Sequence, residues 1–307
     1  MRIIFFNQYH NGDCFVGKGW VRNIINQIPN VDFFYAHGKH PDLLKDLGCT
    51  YMPIHQLKEV GIKDNIRIAQ STVGDIYINT WCGAFQGELF GHDEHSNYII
   101  QHIMYSMYCR VLKQEFNLEV HQSSNPHDYL PFIDFSYYNT KPADDFVASL
   151  NGKDLTVFCN GPSLSGQSTM GDMKNIIDAL SDKFPDKIFV TTQDIGIKKN
   201  NIRTTNEIFN QECDINEIAY LTKFAKVIVG KNSGPSTFSL YDENLRDKNK
   251  TIFCFGTKLT DWPPAGLEFP TKFKFSNQQD DRLVTEIISR TLSEVNCEMS
   301  GVQHITI

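Results

Sequence analysis

The stretch AKVIVGKNSGPSTFSLY, Ala225–Tyr241, ends a β-branched run at Gly230 and continues through small polar residues set around Pro235. Proline has a fixed φ and no N–H, which suits the first turn of a helix. Ser233 or Gly234 is placed to cap that helix, with the N–H groups of Ser236 and Thr237 turned outward. Free donors, two hydroxyls and the positive end of a helix attract an anion, most often a phosphate. A plain strand–turn–helix joint accounts for the same residues.

A second polar run, CGAFQGELFGHDEHSN (82–97), follows the strand-like GDIYINTW. Loops of that length are uncommon unless they act. His92 and His95 flank Asp93 and Glu94 at a spacing that could hold a cation on a helix. The same run reads as a solvated helix start, and no third ligand group is in view, so no metal is expected. Eight cysteines lie far apart, which leaves neither a CxxC pair nor a zinc-type cluster. Those in LTVFCN and TIFCFG sit in apolar runs, where a free thiol behaves as a small hydrophobe.

The chain has 307 residues, 41% hydrophobic and 21% charged, a composition able to build cores for two domains of ordinary size. Its net charge of −7 argues against a nucleic-acid partner, because backbone binding needs a concentrated positive surface. The N-terminal IIFF is too short for a signal peptide or a membrane span. These features give the expectation of a reduced, soluble, cytoplasmic protein without a membrane span.

RIIFF reads as a buried strand, followed by a loop and a helix carrying Val21, Ile24, Ile25 and Ile28. VDFFYAHG, PDLLKDLG and CTYMPI continue as strand, helix and strand. Ile99, Ile100, Ile103, Met104, Met107, Tyr108, Val111 and Leu112 recur at three and four, as in a core helix. Residues 134–150 are polar and read as a linker. Beyond it DLTVFC restarts the pattern, with Thr169 and Asp172 placed to cap one helix and Asp214 and Glu217 another. Strand–helix alternation in both halves predicts an α/β protein with two Rossmann-like domains, 1–145 and 146–296, and a tail at 297–307. In such sheets ligands bind at the carboxyl ends of strands. Two halves facing each other would bind a substrate in the cleft between them.

The block DINEIAYLTKFAKVIVGKNSGPSTFSL resembles the C-terminal signature of the ADP-heptose:lipopolysaccharide heptosyltransferase family. YHNGDCF is similar to that family's Gly-Asp loop, TVFCNGPSLSGQSTMGDM lies where the family places another phosphate-facing loop, and IFCFGTKLTDWPP is like its following strand and loop. The resemblance implies a GT-B fold, a nucleotide-diphospho-sugar co-substrate in place of a cofactor, and Asp13 as general base. It implies donor contacts at Gly12, Asn160, Gly161, Ser163, Asn232, Ser233, Gly234, Pro235, Ser236 and Thr237. Asn232 stands where the family has an aspartate, and the loop Asn160–Thr169 lacks the family's lysine. Backbone amides and the hydroxyls of Ser163, Ser165 and Ser168 would then hold the donor, which need not be ADP-heptose.

An inverting sugar transfer needs a base to take the acceptor hydroxyl's proton. A carboxylate after the first strand would serve, with Gly12 allowing close approach, although aspartate there also serves simply as a helix cap. Trp81, Glu88, His92 and His95 are expected to face the acceptor, since an aromatic ring beside polar groups suits a sugar. Trp81 could equally do no more than bury the end of its strand. The acceptor would be a glycan, a lipid-linked sugar or another hydroxyl. A sugar-nucleotide epimerase or hydrolase on the same architecture, or a binding module without turnover, are the alternatives.

Overall fold

In the chain's first strand Ile3, Ile4, Phe5 and Phe6 are all fully buried, as a strand covered on both faces requires. The computed structural model describes residues 1–85, 96–163, 166–168, 170–209, 215–294 and 303–304. The chain folds as two compact units, Met1–Tyr137 and Tyr138–Ile307. Both are α/β, as the alternating pattern predicts.

The first unit is built on β1 (Arg2–Asn7), β2 (Asp32–His37), β3 (Thr50–Pro53), β4 (Ile68–Gln70) and β5 (Ile76–Asn79). Their order is β3-β2-β1-β5-β4, parallel except for β4, which runs antiparallel to β5 at the edge. The order reverses between β1 and β5, and the loops that leave these two strands lie side by side at their carboxyl ends, the end of a parallel sheet where ligands bind.

Helix Lys18–Gln27 packs so closely on the chain at Tyr129 that a Cβ on Gly19 would lie 2.1 Å from the Tyr129 carbonyl oxygen. Gly19→Ala should therefore lower stability by about 1–3 kcal/mol or more, read from the urea midpoint of the full chain. Beside Gly19, the Lys18 ammonium donates to both oxygens of Asp46 at 2.7 Å, and both side chains are fully shielded from water. Asp46 Oδ2 also accepts from the Asp134 amide at 2.9 Å, and the ammonium lies 4.8 Å from the centre of the Phe132 ring. One ion pair thus joins three distant segments. Helix Asn97–Phe116 covers the same region, burying Ile100, Met104, Tyr105, Tyr108 and Leu112, with Gln101 Oε1 accepting from the buried Trp20 indole at 2.6 Å.

The second unit holds β6 (Leu155–Cys159), β7 (Ile188–Thr191), β8 (Ile202–Thr204), β9 (Val227–Gly230), β10 (Thr251–Phe255), β11 (Lys272–Ser276) and β12 (Gln303–His304). They form one parallel sheet in the order β12-β11-β10-β9-β6-β7-β8. This order reverses between β6 and β9. In register Cys159 and Cys254 both pair with Gly230, so the loops after β6, β9 and β10 start from one level. Helices Lys174–Lys183 and Asp281–Glu294 cover one core, burying Ile176, Ile177, Leu180, Val284, Ile287 and Ile288 against Phe158, Val229 and Phe253.

Three local expectations change. The polar segment expected as a linker contains helix Lys141–Ser149, opened by Pro142 in its first turn. Helix Lys174–Lys183 starts after Met173, which adopts φ 62°, and Asp172 Oδ1 accepts from the Lys174 amide at 3.0 Å instead of closing a capping box. Thr169 and Asp214, the other proposed caps, lie outside the described residues. The six described cysteines are unpaired; Cys14, Cys82, Cys159 and Cys254 are buried.

Candidate functional site

At the carboxyl ends of β1 and β5 the organising residue is Asn7, fully buried at the end of β1. Its Nδ2 donates to the Asp13 carbonyl at 3.1 Å and to Thr80 Oγ1 at 3.2 Å, while its Oδ1 accepts from the Tyr9 amide at 3.0 Å. One side chain therefore fixes both loops. Asp13 is the third residue of the short helix Asn11–Val16, and its Oδ2 accepts from the His10 amide at 3.1 Å. It does cap the helix. Burial also raises its pKa, against the opposing pull of that amide and of the His10 and Lys39 side chains. Gly12 adjoins it, half-buried, in this first unit.

Trp81 stacks on Tyr9, ring centres 3.6 Å apart and planes at 20°. It also folds over Gly83, where a Cβ would lie 2.1 Å from the indole. Glu88, His92 and His95 lie outside the described residues. Nearby, burial and Lys39 push the His37 imidazole down to about 4, so it is neutral at pH 7. His37 belongs to no motif, and although Tyr9 opens the run YHNGDCF, nothing local in the sequence encodes its stacking on Trp81, 72 positions on.

In the second unit the loops after β6, β9 and β10 are laced together at the switch point. Ser163 Oγ donates to the Asn232 carbonyl at 2.9 Å. Lys231 Nζ donates to the Gly171 carbonyl at 2.6 Å. The Thr257 amide donates to the Gln167 carbonyl at 3.0 Å, and Gln167 Nε2 donates to Asp261 Oδ1 at 3.3 Å. Asn232 holds φ 54°, a left-handed conformation that asparagine tolerates better than most residues. Burial pushes the Asp261 carboxyl up to about 6, only partly offset by Lys258, Gln167 and the Asn232 amide.

The expected donor residues divide by what their side chains already do. Asn160 is fully buried and committed internally. Its Nδ2 donates to the carbonyls of Asp172 and Gln193, and its Oδ1 accepts from the Gln193 amide at 2.9 Å. Ser236 Oγ and Thr237 Oγ1 donate to the Ser233 carbonyl at 2.8 and 3.1 Å, and the Thr237 amide donates there too at 2.9 Å. The Ser233 amide in turn donates to Ser236 Oγ at 2.7 Å. The Thr237 N–H expected to point outward thus closes the first turn of helix Gly234–Phe238 instead. Asn232, Gly234 and Pro235 remain half-buried at the surface.

Gly230 and Gly256 let the buried Trp262 close over the strand ends. A Cβ on Gly230 would lie 2.7 Å from Ser236 Cβ and 3.2 Å from the indole, whereas one on Gly161 would meet nothing within 4 Å. Gly230→Ala should cost about 1–3 kcal/mol, while Gly161→Ala should leave the melting temperature unchanged; paired thermal melts check both. Beside these loops a cavity of about 190 Å³ is lined by Ser168, Met170, Phe255, Gly256, Thr257 and the run Asn277–Gln279. Among the described residues no cluster of histidine, cysteine and acidic groups could hold a metal ion, and no helix is long and apolar enough to cross a membrane.

Two α/β units on parallel sheets, with loops gathered at both switch points, define the GT-B fold of glycosyltransferases. Among solved structures the chain is similar to a glycosyl transferase family 9 protein from Veillonella parvula DSM 2008, with TM-score 0.55 and 13% identity over 94% of this chain and 90% of that one. It is also similar to E. coli ADP-heptose lps heptosyltransferase II, with TM-score 0.54 and 11% identity over 97% and 100%. UDP-GlcNAc 2-epimerase from Neisseria meningitidis, solved bound to UDP-GlcNAc, gives TM-score 0.52 and 8% identity over 99% and 95%. No protein-family model and no curated protein matches the sequence.

Proposed function

We propose that the protein is a glycosyltransferase that moves a sugar from a nucleotide-diphospho-sugar to an acceptor hydroxyl, inverting the anomeric centre without a metal. The observation that carries this reading is the lacing of the β6, β9 and β10 loops at the second unit's switch point. Asn232, Gly234 and Pro235 are held there half-buried, and the β6 and β10 loops contribute Ser168, Met170, Gly256 and Thr257 to a cavity that Asn277–Gln279 complete. Asp13 takes the acceptor hydroxyl's proton as its oxygen attacks the anomeric carbon, and the bond to the diphosphate breaks with its electron pair. Amides and hydroxyls stabilise the leaving diphosphate. Trp81 with Tyr9 offers an aromatic surface to a glycan, a lipid-linked sugar or another hydroxyl acceptor.

Sugar-nucleotide epimerisation is the second reading, favoured by the likeness to the Neisseria meningitidis epimerase. Incubation with a panel of nucleotide sugars, with and without acceptors, separates the two. Acceptor-dependent release of nucleoside diphosphate supports transfer. Acceptor-free conversion means an epimerase or hydrolase, and binding without release means a module without turnover.

A further inference from the structure

Three lysines are buried among the described residues: Lys18, Lys231 and Lys250. Lys18 has Asp46 at 2.7 Å. Lys250 has Asp247 at 3.7 Å and donates to three carbonyls at 2.8–3.0 Å, those of Thr222, Lys223 and Ala225. Lys231, 4% exposed, is the one of the three with no carboxylate of the described residues within 4 Å. Its Nζ donates to the Gly171 carbonyl at 2.6 Å and reaches the Met170 carbonyl at 3.4 Å. An ammonium has three donors, and a buried charge is retained at low cost only when an opposite charge meets it. Burial accordingly lowers the Lys231 pKa, with Asp172 opposing from a distance.

The place of this ammonium is as telling as its isolation. Lys231 directly follows β9, at the strand-order reversal, and spans to the turn before helix Lys174–Lys183 that belongs to the β6 loop. Met170, whose carbonyl it touches, also lines the 190 Å³ cavity, and no acidic side chain is among the described residues of that lining. The cavity is smaller than the roughly 300–1,000 Å³ of pockets that take whole ligands, so it admits part of one.

We propose that Lys231 is the cation that receives the diphosphate of the ligand bound at the β6/β9 switch point, beside the Met170–Gly171 turn. This rests on the nucleotide-sugar reading above. The diphosphate supplies the counter-charge that the protein withholds, and one side chain both braces the β6 loop and reads the anion.

Calorimetric titration of the full chain with inorganic pyrophosphate, ADP, UDP, adenosine and uridine tests this at two salt concentrations. Lys231→Gln keeps N–H donors for the two carbonyls and removes the charge; Lys231→Arg keeps the charge. The glutamine variant should bind pyrophosphate and the preferred nucleoside diphosphate about tenfold to a hundredfold more weakly, the scale of a charge-assisted hydrogen bond. Its nucleoside affinity should not change, its salt dependence should flatten, and the arginine variant should stay close to wild type. Wild-type affinity for pyrophosphate in Lys231→Gln would overturn the assignment and leave the nucleotide reading standing. Binding of pyrophosphate but of neither nucleotide, lost in Lys231→Gln, would keep the assignment and remove the nucleotide reading. A wild-type chain that binds none of the anions overturns both. Should the glutamine variant not fold, a wild-type crystal soaked with pyrophosphate decides: phosphate oxygen within hydrogen-bond distance of Nζ upholds the assignment, and phosphate elsewhere ends it.

Discussion

Asp13→Asn is expected to slow sugar transfer by about a hundredfold to ten-thousandfold, the usual scale of general-base catalysis, while nucleotide affinity stays at the wild-type value. The choice of asparagine matters because Asp13 does two things. Its Oδ2 accepts from the His10 amide, and an asparagine oxygen of the same reach preserves that cap. What it lacks is a basic lone pair able to hold a proton. Burial raises the Asp13 pKa, so the acidic limb of the kcat/KM profile should lie above the range of an exposed carboxyl and vanish in the variant. The rate of nucleoside diphosphate release against pH measures both effects. A variant with full activity and an unaltered profile removes Asp13 from the chemistry.

The largest effect on stability is expected at the first unit's ion pair. Asp46→Ala leaves the fully shielded Lys18 ammonium facing the Phe132 ring without its carboxylate, and removing one partner of a buried pair costs about 3–5 kcal/mol. It also takes the acceptor from the Asp134 amide, so the chain around Phe132 should loosen first. On a scale of about 2–4 °C per kcal/mol, calorimetry should show the melting temperature fall by roughly 6–20 °C. Replacing both residues, as Lys18→Met with Asp46→Leu, should recover most of that loss, because an apolar pair of similar volume removes the uncompensated charge. A fall below about 2 °C in the single variant would show that water reaches Lys18.

These sites are unequally visible in the sequence, for reasons that lie in distance along the chain. RIIFF and KVIVG are apolar almost throughout, which only a strand covered on both faces tolerates, and the glycine-containing loops after them follow from the alternation. Asp13 and the 232–237 loop are legible because each sits in a compact local motif. Lys231 lies inside that same motif, yet its role depends on carbonyls 60 and 61 positions away, and no local pattern encodes such a contact. Asn160 shows the reverse. Its loop position suggests an exposed donor, whereas Gln193, 33 residues on, consumes its amide. β4 has three residues and β12 two, too few for a period to register. β11 alternates lysine with phenylalanine in KFKFS, a half-buried pattern unlike the mostly apolar TIFCF of its neighbour β10.

The shielding of the thiols has a practical use. Burial pushes Cys49, Cys82 and Cys159 up to about 12 and Cys109 to about 11, so thiolate, the form that reacts with maleimides, is scarce at neutral pH. With Cys213 and Cys297 replaced, since both lie outside the described residues, a single cysteine introduced at an exposed position such as Val73 would take a fluorophore selectively. The native thiols would stay dark, and a reporter of ligand arrival could be installed without dismantling either core.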